Sequence, residues 1–162
     1  MNPMYERSTR TIALHDVPPA MRAELDAVAE ARQLTVLDDS RAWLTRSVNK
    51  SSSSGIGRLF GRRANPLDPD AEHETLVVLL RSQLVVVIAG AVRGVSSLSV
   101  ALSRASVSAG SVLGGPGDTG FAITGFPAEE GRAGSFYIGL GPEPAGSECY
   151  ETIRAAITEA KR

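Results

Sequence analysis

The sequence predicts an α+β fold, in which antiparallel strands form a barrel or sandwich that is capped by a C-terminal helix and flanked by an additional N-terminal helix. Three observations predict it. Residues 75–90 read TLVVLLRSQLVVVIAG, which is two apolar runs around a short polar interruption. Short alternating segments follow these runs, and a helical apolar repeat stands near each end of the chain. Consecutive strands bounded by helices are typical of α+β domains.

The two apolar runs predict a buried β-hairpin. A membrane-spanning helix needs about 20 mostly apolar residues, whereas Arg81 and Gln83 stand at the centre of this stretch. Val and Ile lose rotamer freedom in a helix and pack well on a pleated sheet. We therefore predict a turn at residues 81–83. Because successive residues are apolar, each strand should be covered on both faces, by the barrel interior and by the N-terminal helix or a partner.

The chain before this hairpin predicts a tail, a helix and one strand. Residues 1–16 are polar and aperiodic, which predicts a flexible tail or an extension of a sheet edge, and residues 17–162 are assigned to a single domain. Pro19 suits the first turn of a helix over residues 19–32. Apolar residues recur there at helical spacing: Met21, Leu25, Val28 and Ala29. Residues 41–48 alternate as a strand does, although Trp43 leaves the inward face undecided.

A long polar passage and further short strands complete the predicted domain. Residues 49–73 contain a serine run, glycines and prolines, and predict a long flexible loop. Three alternating segments after the hairpin predict strands at residues 95–102, 121–126 and 135–140. The chain should close with a helix over residues 145–161, for which Ser147 is the expected N-cap. Its predicted inner stripe is Cys149, Ile153, Ala156, Ile157 and Ala160.

Composition limits the classes of partner and compartment. The 162 residues include 17 basic and 18 acidic side chains, for a formal net charge of −1, so no global field favours nucleic acid. A single cysteine fits a reducing compartment. The first residues lack the apolar stretch of a signal peptide. We therefore expect a cytoplasmic protein that binds no nucleic acid.

Residue types that carry catalysis are scarce. His15 lies in the predicted tail and His73 at the end of the predicted loop, where solvent exposure is the expected state for both. Cys149 lies on the inner stripe of the last helix and should be a small buried side chain. Gly139 and Gly141 resemble part of a phosphate loop but lack its Lys-Ser/Thr ending, which favours a structural turn. No spacing matches a zinc site, and we predict neither a cofactor nor catalysis.

The loop carries the strongest candidate for a contact surface. Within residues 55–63, basic and apolar side chains alternate closely: Arg58, Leu59, Phe60, Arg62 and Arg63. Such a cluster can rest on an anionic lipid surface, where each basic side chain contributes about 1 kcal/mol. The alternative is an exposed loop whose arginines pair with the acidic residues that follow, Asp68, Asp70 and Glu72.

The order of elements resembles that of bacterial pleckstrin-homology-like (PH-like) domains. The likeness covers residues 35–161 and depends on the strand order and on the final strand-to-helix passage, Gly139-Leu140-Gly141-Pro142-Glu143-Pro144. The resemblance implies an antiparallel barrel or sandwich capped by the C-terminal helix. It also implies a non-catalytic binding or assembly module, because that family is associated with lipid headgroup and protein contacts. It transfers no binding residue to this sequence.

Three functional hypotheses follow, in this order. The first is a cytoplasmic module that binds another protein, or a second copy of itself, through an exposed strand edge, with small residues such as Ser97, Ser99 and Ala101 permitting close approach. The second is peripheral binding to anionic lipid at the inner face of the membrane, through the basic loop. The third is an enzyme with a pocket at the barrel mouth beside His73.

Overall fold

The computed structural model describes residues 3–51, 55–56, 61, 63–109, 119–127 and 133–162, and their fold is α+β with two antiparallel sheets. The first sheet has five strands in sequential order: β1 (Tyr5–Thr11), β2 (Arg41–Asn49), β3 (Glu72–Leu79), β4 (Gln83–Gly90) and β5 (Gly94–Ala101). The second has three: β6 (Ser106–Ala109), β7 (Gly120–Pro127) and β8 (Ala133–Gly139). In the sequence, helix α1 (Pro19–Arg32) follows β1 and precedes β2, and helix α2 (Pro144–Ala160) is the last element.

The predicted hairpin is confirmed. Strands β3 and β4 pair antiparallel with Leu79 opposite Leu84, so the polar interruption in the sequence is the turn. Both faces of the hairpin are buried, as predicted. Alternate residues of β3 and β4 enter two separate cores: Val77, Leu84 and Val86 face the second sheet and α2, whereas Leu76, Val78, Val85 and Val87 pack under Met21 and Leu25 of α1.

Of the two predicted arrangements, a barrel and a sandwich, the structure has the sandwich. Among the described residues, no strand pairing joins the two sheets, and the fold is a sandwich. After β5 the chain makes a tight turn, in which the Ala105 N–H donates to the Ala101 carbonyl oxygen (3.1 Å). At the opposite edges of the two sheets, the contact is made by a side chain: the Gly141 N–H, just after β8, donates to Thr9 Oγ1 of β1 at 2.8 Å.

Of the two alternatives predicted for residues 1–16, a flexible tail and an extension of a sheet edge, the structure shows the second over Tyr5–Thr11. Residues Tyr5–Thr11 form the edge strand β1, which pairs with β2 from Tyr5 opposite Asn49 to Thr11 opposite Trp43. A 3-10 turn, Leu14–Asp16, follows and buries Leu14 in the core under α1. Tyr5 and Thr9 are buried as well. Because the inward residues of this strand are not aliphatic, the sequence shows no apolar alternation, and the strand reads as aperiodic.

Helix α2 closes one end of the sandwich. Cys149, Ile153 and Ile157 of its inner stripe are buried in the core between the sheets. The helix begins at Pro144, earlier than predicted, and Ser147 is not its N-cap. Residue Glu143 takes the N-cap position, but its side chain accepts the Thr9 N–H of β1 (2.9 Å) instead of capping the helix. Glu148 pairs with Arg41 at the start of β2, and Lys161 reaches Ser106 of β6.

The small residues of β5 do not present an open face to a partner, which corrects that part of the expectation. Ser97 Oγ donates to Glu24 Oε1 of α1 at 2.7 Å, and Ser99 is buried. Helix α1 therefore covers this face of the strand. Within the described ranges, no helix is long and apolar enough to cross a membrane.

Candidate functional site

The inner face of the five-stranded sheet changes from apolar to polar along its length. On β2, the inward residues run in the order Trp43, Thr45, Ser47 and Asn49, and all four are buried. The register aligns polar residues beside them on both neighbouring strands. Tyr5, Arg7 and Thr9 lie opposite these positions on β1, and His73 and Thr75 on β3. The apolar part lies at the end that α2 closes, and we call the polar part the open end.

A cleft of about 640 Å³ occupies the open end. It lies where β1, the start of β3, the turn between β4 and β5, and strand β8 converge. Its volume is in the range of small-molecule sites. The described residues that line it are mostly polar or aromatic: Met4, Tyr5, Arg7, Asn65, Leu67, Asp68, Pro69, His73, Arg93, Ser96, Phe136 and Tyr137.

A buried carboxylate, Asp68, organises one wall of the cleft. The Tyr5 hydroxyl donates to Asp68 Oδ2 at 2.6 Å, the Asp70 N–H donates to Oδ1 at 3.0 Å, and Arg93 forms an ion pair with Oδ1. Burial alone would raise the pKa of Asp68, but these three hydrogen bonds to the carboxylate hold the pKa below its usual value. Asp68 is therefore ionised at neutral pH and joins β1 to the turn after β4.

Asp70 fixes that turn from the other side. Its carboxylate accepts the Val92 N–H at 2.6 Å and the Arg93 Nε–H at 2.7 Å. The hydrogen bond from Val92 is the main reason that the pKa of Asp70 is lowered. Gly90 leaves the space for this carboxylate, because a Cβ atom at position 90 would collide with it. The turn continues through Gly94, whose φ of +73° favours glycine.

Two asparagines hold together the ends of the long loop between β2 and β3. Asn49 Nδ2 donates to the Asn65 carbonyl oxygen (2.8 Å), and the Asn65 N–H donates to Asn49 Oδ1 (3.0 Å). Asn65 Nδ2 then donates to the Tyr5 hydroxyl at 2.9 Å. Lys50 and Ala64 are also joined by a backbone hydrogen bond of 2.7 Å. The chain therefore leaves and re-enters the sandwich at one fixed point beside the cleft.

His73 is part of the cleft wall, which corrects the prediction that it is solvent-exposed. Its side chain is only 12% exposed, and Nδ1 lies 3.4 Å from Asp68 Oδ2, without the geometry of a hydrogen bond. Burial, and next the positive charge of Arg93, lower the pKa of His73 below its ordinary value. The imidazole is therefore neutral at pH 7. It meets the Tyr5 ring edge to face at 5.6 Å.

Tyr5 and Arg7 form the wall that β1 contributes. Burial, followed by the hydrogen bond to Asp68, raises the pKa of Tyr5 to about 12. The Arg7 guanidinium lies over the Tyr5 ring, 4.7 Å from its centroid, and Nε donates to Ser47 Oγ at 3.1 Å. Gly139 of β8 makes room for it, because a Cβ atom there would collide with the guanidinium. Gly139 and Gly141 thus act in packing, in agreement with the predicted structural turn.

Of the five residues of the predicted basic surface, the structure describes Arg63. Arg58, Leu59, Phe60 and Arg62 lie outside the described residues. Arg63 is exposed, forms an isolated β-bridge with Ser51, and donates from Nη1 to the Asn49 carbonyl oxygen at 3.3 Å. The acidic residues expected to pair with this loop have other partners: Arg93 pairs with Asp68 and Asp70, and Arg46 pairs with Glu72.

The remaining candidates behave as small or solvated side chains. His15 is exposed, as predicted. Cys149 is fully buried, and burial raises the pKa of its thiol to about 12, so the prediction of a buried small side chain is confirmed. In the part of the chain that the structure covers, no group of three or more His, Cys, Asp or Glu side chains is placed to hold a metal ion.

Comparison with known proteins assigns no family to this chain. No family model matches the chain, and a search of the curated proteins finds no match. Function must therefore be argued from the sandwich and its two ends.

Sequence reasoning missed the open end because its residues are far apart in the chain. From the sequence, Asp68 and Asp70 are expected only as partners for the loop arginines, and Arg93 is not among the candidate residues. A usable signal was present on β2, where every second residue from Thr45 to Asn49 is polar and follows the buried Trp43 on the same face. Buried polar positions in a strand need partners, and that requirement points to a polar cluster.

Proposed function

We propose that this chain is a non-catalytic binding module that acts through protein contacts, and that the contact is the outer edge of β5. The observation that carries the proposal is a strand edge that pairs with no other described strand and lies next to exposed apolar side chains. Strand β5 ends the five-stranded sheet, and Val92 (71% exposed) and Val95 (37%) lie in the turn before it and at its start. Unpaired edges of this kind accept a further strand.

The register defines which backbone groups are available. Leu102 donates its N–H to the Ser82 carbonyl oxygen, so the even-numbered residues of β5 bond to β4 and the odd-numbered ones point outward. Within the described residues, the outward N–H and C=O groups of Val95 and Ser97 have no strand partner. Ser99, the next outward residue, is buried. The open stretch is therefore short and lies at the open end of the sandwich.

A second copy of the chain supplies a matching edge. Antiparallel pairing about Ser96 would place Val95 of one copy opposite Ser97 of the other, and reciprocally, so that the outward groups of both residues are satisfied. The exposed side chain of Val95 would then be covered. The position of α2 across one end of two antiparallel sheets also supports the resemblance to PH-like domains, whose implied role is binding or assembly.

A proline tests the edge without breaking the sheet. Ser97 directs its N–H away from β4, so Ser97→Pro removes an outward donor and keeps the bonds to β4. Ser97→Ala is the matched control, since both variants lose the hydroxyl bond to Glu24. Size-exclusion chromatography with light scattering at high micromolar concentration should give twice the monomer mass for the wild type and Ser97→Ala, and the monomer mass for Ser97→Pro. A monomeric wild type, or a dimeric Ser97→Pro, contradicts the proposal.

Binding to anionic lipid through the basic loop is the second candidate. It is favoured by the fixed loop base at Asn49 and Asn65, and by the exposed side chains of Ile56 and Arg63. Three basic side chains at about 1 kcal/mol each give only weak affinity. Co-sedimentation with vesicles that contain anionic lipid tests it. The triple variant Arg58→Ala, Arg62→Ala, Arg63→Ala should lose binding, whereas the control with equal charge loss, Arg32→Ala, Arg154→Ala, Arg162→Ala, should retain it. Equal binding by the two variants removes this candidate.

A further inference from the structure

We propose that His73 is a pH-sensitive switch at the open end: when protonated, it replaces Arg93 as the partner of the Asp68 carboxylate and so releases the turn before β5. The role of this switch rests on the proposed function, because the turn leads into the strand edge at which the partner binds. Mild acid should therefore weaken the β5 contact. The position of His73, the charges around it and the different freedom of the two cations support the switch.

Two cations can reach one carboxylate. Arg93 forms an ion pair with Asp68 Oδ1, whereas His73 Nδ1 lies 3.4 Å from Oδ2 and has no hydrogen-bond partner among the described residues. When the imidazole is protonated, both ring nitrogens carry a proton, so Nδ1 is able to donate to a carboxylate. Charged hydrogen bonds of this kind measure about 2.8 Å, and a shift of about 0.6 Å closes the gap. Protonation therefore creates a competitor for Arg93.

The charges around the imidazole oppose its protonation while Arg93 stays in place. Burial, and next the positive charge of Arg93, lower the pKa of His73. This coupling is reciprocal, so a proton on His73 weakens the hold of the site on Arg93 by the same free energy. The pKa values of Asp68 and Asp70 are lowered, which keeps both carboxylates ionised in mild acid. The charged and titratable groups around His73 are Tyr5 and Arg7 of β1, Asp68, Asp70, Arg93, Tyr137 of β8, and Arg46, Glu72 and Glu74 on the other side of the sheet.

Arg93 is the cation that is able to leave. Its side chain is 29% exposed and extends from a turn, so rotation about its own bonds brings the guanidinium into water. The His73 side chain is 12% exposed and belongs to β3, which is paired on both sides. Arg7, the other cation of the cleft, lies over the Tyr5 ring and donates to Ser47. An additional positive charge on His73 is therefore relieved by the departure of Arg93.

The departure of Arg93 loosens the turn before β5. At pH 7 its guanidinium joins Asp68 to Asp70, and Asp70 also accepts the Val92 N–H. Without this bridge, the exposed side chains of Val92 and Val95 and the outward groups of β5 are held less firmly. A partner strand then has to order the turn as it binds, and this ordering lowers the affinity. We expect the dimer to dissociate about tenfold more readily at about pH 5 than at pH 7.

Solvent exchange of the Arg93 Nε–H measures the switch independently of any dimer. A nearby charge alone changes chemical shifts, whereas exchange with water accelerates when the bond to Asp70 opens. The Arg22 Nε–H, which donates to Asp26 on α1 at 3.0 Å, is the internal reference. Relative to this reference, exchange of the Arg93 Nε–H should accelerate about tenfold or more as the pH falls through the pKa of His73 in the folded chain, which lies below 6.5.

The two histidines of the chain supply a matched pair of variants, since His15 is 81% exposed and lies outside the cleft. We expect the wild type and His15→Gln to show the acid transition in Arg93 exchange, and His73→Gln to lack it. All three chains should be alike at pH 7, which verifies that His73→Gln is folded. The switch is overturned if exchange accelerates equally in His73→Gln, or if His73 titrates in the wild type with no change in Arg93 exchange.

Light scattering at pH 7 and at about pH 5 tests the role of the switch at the β5 edge. The dimers of the wild type and His15→Gln should weaken in acid, and that of His73→Gln should not. A wild type that is monomeric at both pH values contradicts the proposed function and the role of the switch at β5, whereas Arg93 exchange still decides whether the switch itself exists. An exchange transition with an unchanged dimer affinity overturns the regulation of the β5 contact alone.

Discussion

The two ends of the sandwich are stabilised by different physics. At the closed end, helix α2 places Cys149, Ile153 and Ile157 against apolar side chains of both sheets. At the open end, the same inner face carries Thr45, Ser47 and Asn49, and the chain is held by ionised and hydrogen-bonded groups. Apolar burial tolerates some variation in partner and orientation, whereas a buried polar network stabilises the fold only when nearly every donor and acceptor is paired.

This difference indicates where recognition is expected. A core that needed only stability could have used apolar residues at both ends, since replacing buried polar groups by apolar ones of the same shape is often neutral or favourable. The open end instead keeps a network that fixes the positions of Tyr5, Asn65 and Arg93 to within hydrogen-bonding distance. Fixed polar groups around a cleft are the arrangement that ligand recognition requires.

The largest effect is expected from a cavity at the closed end. Ile153 is fully buried between α2 and the two sheets, so Ile153→Ala should lower the free energy of unfolding by about 3 kcal/mol. Urea denaturation measures it, and the exposed neighbour Arg154→Ala should change the free energy by less than about 0.5 kcal/mol. A loss below about 1 kcal/mol for Ile153→Ala would show that α2 contributes little to the core.

A smaller and more local effect is expected at the open end. Asn49→Ala removes both partners of the Asn65 backbone and should cost about 2 kcal/mol. Amide hydrogen exchange should show the largest loss of protection at Asn65 and Leu67, near the base of the loop, before any change at β4. Asn49→Asp, which keeps the acceptor for the Asn65 N–H and loses the donor, should have an intermediate effect. Uniform loss of protection over both ends would contradict the distinction between them.

The alkaline limb of stability should contain a contribution from the open end, beside that of the buried Cys149 thiol at the closed end, whose pKa is also raised. The phenol of Tyr5 has an ordinary pKa of 10.0, and in the folded chain its pKa is about 12. Between these values the unfolded chain releases the proton and the folded chain keeps it, so stability falls as the pH rises from 10 toward 12. Unfolding free energies over this range should decline less steeply for Tyr5→Phe than for the wild type. Tyr150→Phe, on α2 at the closed end, is the control. An equal change of the slope in both variants would show that the titration of Tyr5 is not its cause.

The closed end could largely be predicted from the sequence, and the open end could not. Helix α2 and the hairpin carry periodic apolar patterns that depend on near neighbours, so Ile153 and the turn after Leu80 were read correctly. The open end joins Tyr5, Asp68 and Arg93, which are separated from one another by more than 20 residues along the chain. Barrel closure also depends on the relation between distant edges, here β1 and β8, and no local pattern encodes it.

The acid limb of stability offers the smallest and most specific test of the comparison. His73 lies beside the Asp68 carboxylate, which also pairs with Arg93, and its pKa is lowered from an ordinary value of 6.5, chiefly by burial. Below about pH 6.5 the unfolded chain binds a proton that the folded chain resists, so stability is complete above that pH and falls as the pH decreases toward the folded pKa. His73→Gln removes this titration and should flatten the slope of unfolding free energy between about pH 7 and pH 5. Because Asp68 keeps its bonds to Tyr5 and Arg93 in the variant, the network itself should survive. An unchanged slope would mean that protonated His73 is accommodated by Asp68, and that the open end tolerates an added positive charge in its cleft.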